Sequence, residues 1–403
     1  MYLVEQHIIT VNDKRYKDLD RICFLSKNLY NVALYTIKQE FLNTGKWIRA
    51  VDLNKKMVAE NNIDYRAMSG SSSQQILMAL DKNLKSYFSA IKAWKRDNKK
   101  FTGCPKFPKY KHKTKGRNVF SYSYAQFKHR GDFIYFPKKE GLSPLRTNCK
   151  EGTVKQVRFV PKSDCYVIEV VYESIVKKQL DDNNRIMSID LGVNNLASIV
   201  TNVSNKPILI DGRRLKSINQ YYNKKRSDIQ QQLKKVNGKE NSRRLMSLTR
   251  RRNNKVKDYL HKASKEIINT CLKEDITTLI VGHNDGWKQN VSLGKRNNQN
   301  FVSIPFEMLI SMLRYKSERQ GLRFVEINES HTSKCSSFDL EPVCHHDTYV
   351  GRRVRRGLFK TRDGILINAD INGSYNIMRK VKGDAAMPPH TGFGYNPVKK
   401  FIN

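Results

Sequence analysis

The chain has 403 residues, enough for about two or three domains with a substantial buried core. It carries 75 Lys and Arg against 37 Asp and Glu, and a formal net charge of +38 disfavours a compact state unless a polyanion neutralises it, so nucleic acid is the predicted partner. We find no apolar stretch long enough to span a bilayer and no signal-peptide pattern, which argues against a membrane or secreted protein. The seven scattered cysteines are typical of reduced thiols, so we expect a cytoplasmic protein.

The N-terminal part predicts a strand, two long helices and a set of short strands. Met1 to Asn12 has the apolar texture of a strand, and helical periodicity runs from Asp18 to Gly45 and from Ser73 to Trp94. The stretch from Lys92 to Arg117 is strongly basic and contains interspersed aromatic rings. Residues Asn118 to Ser174 alternate short apolar runs with Gly, Pro and Asp turns, a pattern typical of strands.

After a polar boundary at Lys177 to Arg185, the pattern predicts an α/β domain of strands interleaved with helices. The predicted elements are the strand Arg185–Asp190, the hairpin Leu196–Thr201 with Pro207–Ile210, two helices across Leu215–Cys271 that break near Asn237, the strand Thr277–Val281, the helix Pro305–Arg319, the strand Leu322–Asn328 and the helix Ala369–Val381. We expect the segment from Pro388 to Asn403 to be a loosely held tail.

Two aspartates are the strongest candidates for chemistry. Asp190 ends a buried strand, where a charge is costly without a partner or a metal ion, and Asp370 lies at the start of a distant helix. Each alone could simply cap its turn or helix. Carboxylates brought together from a strand end and a helix start suit a pair of Mg²⁺ ions, which would clamp the attacking and leaving oxygens of a phosphodiester.

These segments resemble the TnpB family, transposon-encoded RNA-guided nucleases related to the type V CRISPR effectors. The resemblance is carried by DLGVNNLASIV and NADINGSYNIMRK, which contain the two aspartates, by ESHTSKC before the last helix, and by CPKFPKYK in the basic stretch. It implies a mixed α/β and α+β architecture: a helical recognition domain (16–100) inserted into a wedge-like β-barrel (1–15 and 101–180), then an RNase H-like RuvC nuclease domain (181–334 and 366–385). A zinc-knuckle insertion (335–365) and a C-terminal tail (386–403) complete the expected organisation.

The resemblance assigns Asp190 and Asp370 as the first and third catalytic carboxylates and Mg²⁺ ligands. The second is usually a glutamate just after the middle strand, where this chain has Gly282. Glu329, after the next strand, is the favoured substitute, because adjacent strands end close together; Glu326 and Asp285 are weaker alternatives. If none of them serves, the chain would be a nuclease-inactive relative.

The usual family knuckle carries two Cys-x-x-Cys pairs, and this chain departs from that pattern. Cys335 and Cys344 stand apart, followed by His345 and His346, with His331 upstream. This spacing fits no tight zinc turn, so we expect a degenerate knuckle with zinc absent or only partly bound.

Several polar residues are predicted to contact nucleic acid. The basic, ring-containing segment suits phosphate contacts combined with base stacking, although a solvated linker is also compatible with it. The polar start of the second helix resembles the family element that reads a short motif beside the target. The predicted contacts are Gln74, Gln75, Lys106, Lys109, Tyr110, Lys111, Arg243, Arg244, Arg250 and Arg251.

The function expected on this basis is that of an insertion-sequence RNA-guided DNA endonuclease that uses Mg²⁺, with a guide RNA and a double-stranded DNA target as partners. We expect it to act as a monomer in a ribonucleoprotein and not to bind a membrane. Two alternatives remain: an RNA-guided repressor with an inactive nuclease centre, and a transposase or recombinase on the same RNase H-like fold. A plain RNA-binding protein would leave Asp190 and Asp370 unexplained.

Overall fold

A computed structural model describes residues 1–238, 240–284, 294–388 and 397–402. The chain forms two compact units, Met1–Ser174 and Ile175–Asn403, and each is a mixture of helices and sheets. None of the helices in the described ranges is long and apolar enough to cross a membrane.

The first unit pairs a helical layer with antiparallel sheets. Its helices are α1 (Tyr16–Thr44), α2 (Ala50–Ala59), α3 (Ile63–Arg66) and α4 (Gly70–Arg96). Its strands are β1 (Tyr2–Ile9), β2 (Phe120–Ser123), β3 (Lys128–Arg130), β4 (Phe133–Tyr135), β5 (Leu145–Arg146), β6 (Val154–Pro161) and β7 (Tyr166–Glu173). The larger sheet has the order β1-β7-β6-β2, and β3, β4 and β5 form a small second sheet.

The predicted strand at the N-terminus and the two long helices are confirmed by β1, α1 and α4. Apolar side chains at helical spacing on α1, among them Leu19, Ile22 and Leu29, face a core that also contains Phe120 and Phe159. The helix α1 ends at Gly45, which takes a left-handed conformation with φ 68°. Sequence analysis did not predict α2 and α3, which follow this turn.

The second unit is built on a six-stranded mixed sheet. The strands of this unit are β8 (Ile186–Leu191), β9 (Asn195–Thr201), β10 (Ile208–Asp211), β11 (Thr278–Gly282), β12 (Arg323–Ile327), β13 (Arg352–Arg355), β14 (Leu358–Lys360), β15 (Leu366–Asn368) and β16 (Val398–Lys400). Its helices are α5 (Arg213–Asn237), α6 (Arg243–Lys273), α7 (Lys295–Ser303), α8 (Phe306–Gln320) and α9 (Ala369–Lys382).

The sheet order is β12-β11-β8-β9-β10-β16. The strand β9 runs antiparallel to its neighbours β8 and β10, whereas β11 is parallel to both β8 and β12. The helices α6 and α8 share one apolar core with this sheet, and α9 contributes to a separate core with other sheet residues. Parallel strands that end at the same edge bring β8, β11 and the loop after β12 together there.

The C-terminal tail differs from the prediction. After the described range ends at 388, residues Val398 to Lys400 return as the parallel edge strand β16 beside β10. The Lys400 ammonium pairs with Glu266 at 2.5 Å, and Ile402 packs against the α6–α8 core. The segment Val398–Lys400 is short and basic and has no clear strand pattern, so its pairing with β10 determines this strand.

Candidate active site

Asp190 lies at the end of β8, as predicted. The preceding strand residues are fully buried, whereas Asp190 itself is partly buried. Its carboxylate packs against α9 so closely that Oδ2 stands 2.7 Å from where a Cβ on Gly373 would be. The hydroxyl of Ser188 donates to the Ser374 carbonyl at 2.7 Å, which holds the helix on the strand. This close contact requires small residues on α9.

Glu329 follows β12 and extends towards the end of β11. Its Oε2 lies 3.1 Å from the position that a Cβ on Gly282 would occupy. The same hypothetical Cβ would lie 2.4 Å from Cδ1 of Ile377. The Glu329 carboxylate therefore occupies space beside Gly282 that a larger residue at position 282 would need. Its backbone N–H donates to Asn284 Oδ1 at 3.0 Å, and Lys380 on α9 donates to two carbonyls of the same loop.

Asp370 lies in the first turn of α9, whose N-cap is Asn368. The Asn368 side chain accepts from the backbone N–H of Asp370, so this cap leaves the Asp370 carboxylate available. That carboxylate accepts a hydrogen bond from Asn195 Nδ2 at 2.8 Å and pairs with the Arg353 guanidinium at 3.3 Å.

The electrostatic environment of Asp190 includes the other two carboxylates. Burial raises the pKa of Asp190 well above its ordinary value, and the negative charges of Glu329 and Asp370 raise it further, while Arg353 opposes them. Burial also raises the pKa of Glu329, with His283 and Lys380 acting in the opposite direction. Sites that hold like charges together in this way are frequently functional.

Glu326, an alternative to Glu329, lies outside this cluster. It is exposed on β12 and pairs with Arg314 of α8. The other alternative, Asp285, falls outside the described residues.

Two further contributors were not identified from the sequence. Gly373 leaves room for the Asp190 carboxylate, and Asn195 orients Asp370. A glycine inside a predicted helix is a recognisable signal of close packing, because it costs helix stability. Arg353 pairs with the Asp370 carboxylate, a proposed metal ligand.

The donor set suits a hard divalent cation. Glu329 Oε2 is buried and has no hydrogen-bond partner among the described residues. The nearby atoms that could bind a metal ion are carboxylate oxygens, the ligands that hard divalent cations prefer. As the side chains stand, no three His, Cys, Asp or Glu residues of the described ranges are arranged to bind one ion together. The Asp370 carboxylate is hydrogen-bonded to Asn195 and Arg353 in this arrangement.

The predicted knuckle contains no closed zinc site in its fully described stretch. Cys335 is buried and its Sγ donates to the Cys344 carbonyl at 3.5 Å, whereas Cys344 is exposed and its Sγ lies 3.4 Å from His346 Nε2. The rings of His331 and His345 are 5.9 Å apart. Polar side chains instead hold this region, with Glu341 accepting from the backbone N–H groups of Ser336 and Val350.

The basic segment in the first unit runs along α1. Asn31 exchanges two hydrogen bonds with the backbone of Lys111, and Tyr30 donates to the Lys109 carbonyl at 3.2 Å. The side chains of Lys106, Lys109 and Tyr110 are exposed. Lys111 is partly buried with its ammonium over the Tyr30 ring, so its role is at least partly structural.

The other predicted contacts differ in availability. Gln74 is exposed, but Gln75 accepts from the Ser121 hydroxyl and from Gln156 Nε2. Arg243, Arg244 and Arg251 are exposed on α6, and Arg250 is partly buried. The adjacent Arg252 donates to Asn219 and to the Ser303 carbonyl.

Comparisons with known proteins identify related sequences and a similar fold. A family model described as a probable transposase (OrfB_IS605) matches residues 169–288, and a Cas12f1-like TNB domain model matches residues 306–377. The TnpB-like protein ORF457 of Acidianus two-tailed virus is 23% identical over 407 residues, spanning 92% of this chain and 85% of that protein.

A second relative is the TnpB-like protein MJ0751 of Methanocaldococcus jannaschii, 29% identical over 245 residues, which span 57% of this chain and 80% of that protein. Among solved structures, Cas12f1 in its complex with sgRNA and target DNA shares the fold with a TM-score of 0.53 and 13% identity, covering 90% of this chain and 81% of that one. The family models and the TnpB-like relatives together confirm the predicted resemblance of this chain to the TnpB family.

Proposed function

We propose that this protein is a Mg²⁺-dependent, RNA-guided DNA endonuclease whose second catalytic carboxylate is Glu329. The observation that carries the proposal is the convergence of Asp190, Glu329 and Asp370. These carboxylates come from distant parts of the chain, and the negative charges of Glu329 and Asp370 raise the pKa of Asp190. An RNase H-like, RuvC-type nuclease domain is supported by the antiparallel β8–β9–β10 and the parallel β11 and β12.

The proposed chemistry is hydrolysis of a phosphodiester. Two bound Mg²⁺ ions would activate a water and stabilise the leaving 3′ oxygen. Asp190, Glu329 and Asp370 would supply the carboxylate oxygens that hold them. A bound cation would also compete with Arg353 for Asp370, which would leave the half-exposed guanidinium available to a substrate phosphate. In such an effector, base pairing by a guide RNA carries the sequence specificity.

The presence of a glycine at position 282, beside Glu329, has a steric basis. A glutamate at position 282 would overlap Ile377 and the Glu329 carboxylate, so the two positions are alternative sources for one carboxylate. The chain retains a buried, unpaired carboxylate oxygen at this place, which costs folding energy unless a cation binds it.

A nuclease-inactive RNA-guided repressor is the second candidate. It is favoured by Gly282 and by the Arg353–Asp370 pair, which already neutralises one carboxylate. A transposase or recombinase on a related fold would instead transfer DNA strands without RNA.

The test is cleavage by the ribonucleoprotein purified with its co-expressed RNA. A plasmid carrying the guide-matched target beside randomised flanks is incubated with Mg²⁺, and Glu329→Ala is compared with Glu326→Ala. We expect the wild type and Glu326→Ala to cut and Glu329→Ala to be inactive. Equal cutting by Glu329→Ala would refute the assignment of Glu329. RNA-dependent binding without cutting by the wild type would make the protein a repressor, and strand transfer without RNA would make it a transposase.

A further inference from the structure

A small aromatic pocket lies in the first unit, where α1 turns into α2. The cavity has a volume of about 390 Å³ and is lined by Phe41, Gly45, Lys46, Trp47, Arg49 and Phe88. This size is at the lower end of the range for small-ligand pockets. None of these residues was among the predicted nucleic-acid contacts.

The walls of the pocket are aromatic. Trp47 stacks on Phe88 with ring centroids 4.6 Å apart and an angle of 18° between the planes. Phe41 lies 6.0 Å from Phe88 at a tilt of 43°, and it remains 37% exposed. Such rings offer a stacking surface to a planar ligand.

A buried carboxylate fixes this arrangement. Asp81 on α4 is 7% exposed and accepts from Trp47 Nε1 at 3.2 Å and from Arg49 Nε at 3.0 Å. Lys85 also pairs with it at 3.1 Å. The Asp81 carboxylate therefore holds the Trp47 ring and the Arg49 guanidinium in place, so that a ligand would meet a pre-formed site with little conformational entropy left to lose.

The charges at the rim select the type of ligand. Lys46 is exposed and Arg49 is about half exposed, with its guanidinium 5.7 Å from the Trp47 ring. Two cations would repel an ammonium group such as a methylated lysine, which aromatic cages otherwise favour. A ligand that is planar and carries a negative charge beside its ring satisfies both features.

We propose that this pocket binds one unpaired nucleobase, with its phosphate against Lys46 and Arg49. Base–aromatic stacking beside cations is the general mode by which proteins hold single strands. The inference rests on nucleic acid being the partner in the proposed function, but on no feature of the carboxylate cluster. The base could belong to the guide RNA or to single-stranded DNA.

The pocket is tested by binding of fluorescent 20-nucleotide RNA and single-stranded DNA probes to the full chain, measured by anisotropy at fixed salt. Phe41→Leu keeps an apolar side chain and removes the ring, and Leu42→Ala, at the 76% exposed neighbour, is the matched control. We expect Phe41→Leu to weaken binding at least about fivefold, the effect of losing one stacked base. Lys46→Gln should lower the salt dependence of binding by about one charge.

Cross-linking supplies a second measurement. Probes containing 4-thiouridine or 4-thiothymidine are irradiated on the wild type, and the modified peptides are identified by mass spectrometry. Modification within residues 41–49 or at Phe88 supports the pocket, and the probe that gives it, RNA or DNA, identifies the source of the base. Equal affinities for wild type, Phe41→Leu and Leu42→Ala, with cross-links elsewhere, would refute the pocket while leaving the proposed function standing. Failure of the wild type to bind either probe or to co-purify with RNA would overturn both.

Discussion

Helix α9 contacts two groups of buried polar side chains that differ in how their charges are satisfied. One is the carboxylate cluster, defined as Asp190, Glu329 and Asp370. The other, which we term the knuckle network, consists of Glu341, Asn372, Asn376 and Arg379, and each of its members is buried.

The knuckle network is internally satisfied. Asn372 and Asn376 both donate to the Cys335 carbonyl, at 2.8 and 2.7 Å. Arg379 donates to the Glu341 carbonyl at 2.9 Å and pairs with Asp384 at 2.6 Å. Buried polar networks of this kind add stability and define one arrangement, because leaving any member unpaired is costly.

The carboxylate cluster, in contrast, contains a buried polar group without a compensating partner in the described part of the chain. Glu329 Oε2 is buried without a hydrogen-bond donor among the described residues, and the pKa of Asp190 is raised by burial and by two like charges. Polar groups buried beside one helix therefore add stability in the knuckle network and cost stability in the carboxylate cluster. A cost of this kind is expected of a proposed cation site.

The largest effect is expected from Asp190→Asn. This change removes a proposed metal ligand, so cleavage of a matched plasmid should fall on the order of a thousandfold. It also removes a buried, repelled charge, so the metal-free protein should melt at a higher temperature than the wild type. Mg²⁺ should raise the melting temperature of the wild type and have less effect on the variant. A variant that cuts normally, or that melts lower without metal, would contradict the cluster as described.

The same carboxylates predict a pH dependence in metal-free buffer. Because the pKa values of Asp190 and Glu329 are raised on folding, the folded chain binds more protons than the unfolded chain in the interval between the ordinary and the raised values. Their unfavourable contribution is complete above the raised values and is relieved as the pH falls through them. The melting-temperature difference between Asp190→Asn and wild type should therefore shrink towards acid pH; a difference that grew would reverse the predicted sign.

Glu341→Ala tests the other side of the comparison. It leaves the backbone N–H groups of Ser336 and Val350 without their acceptor, which should cost about 2–5 kcal/mol in the free energy of unfolding. The exposed Asp347 in the same region provides the control Asp347→Ala, for which we expect a change within about 0.5 kcal/mol. Denaturant titration of both variants measures this difference, and equal stabilities would show that the network does not hold the knuckle.

Gly373→Ala should affect activity more than stability. An added Cβ would lie 2.7 Å from Asp190 Oδ2, so the carboxylate must move away from its present position. A displacement of this size in a metal site can reduce the rate by about a hundredfold. Gly103→Ala, where a Cβ meets nothing within 4 Å, is the control. Unchanged cleavage by Gly373→Ala would mean that the position of Asp190 is not critical.

Much of the second unit could be predicted from its sequence, because long apolar runs specify its central strands. The strand with Asp190 and the helix with Asp370 both lie where the periodicity placed them. The edge strand β16 could not be predicted, since its short, basic sequence depends on β10 for pairing. The strands β13, β14 and β15 are equally short and were missed for the same reason.

The residue types of the candidate site and the closeness of Glu329 to the end of the middle strand were predicted from the sequence, but the remaining contacts of the site were not. The parallel pairing of β11 with β12 aligns Gly282 with Ile327 and brings Glu329 beside Gly282. The pairing of Asp370 with Asn195 and Arg353 depends on contacts between residues far apart in the chain, which no local pattern specifies.

The smallest effect is expected when zinc is added or withdrawn. The predicted knuckle region is held by side-chain and backbone hydrogen bonds, and its exposed cysteine, Cys344, faces His346 rather than Cys335. A zinc-selective chelator should leave the melting temperature unchanged, and the purified protein should contain much less than one zinc per chain by elemental analysis. Mg²⁺ in the same experiment should stabilise the wild type through the carboxylate cluster. Stoichiometric zinc, together with a fall in melting temperature on chelation, would show that an ion and not the knuckle network holds this region.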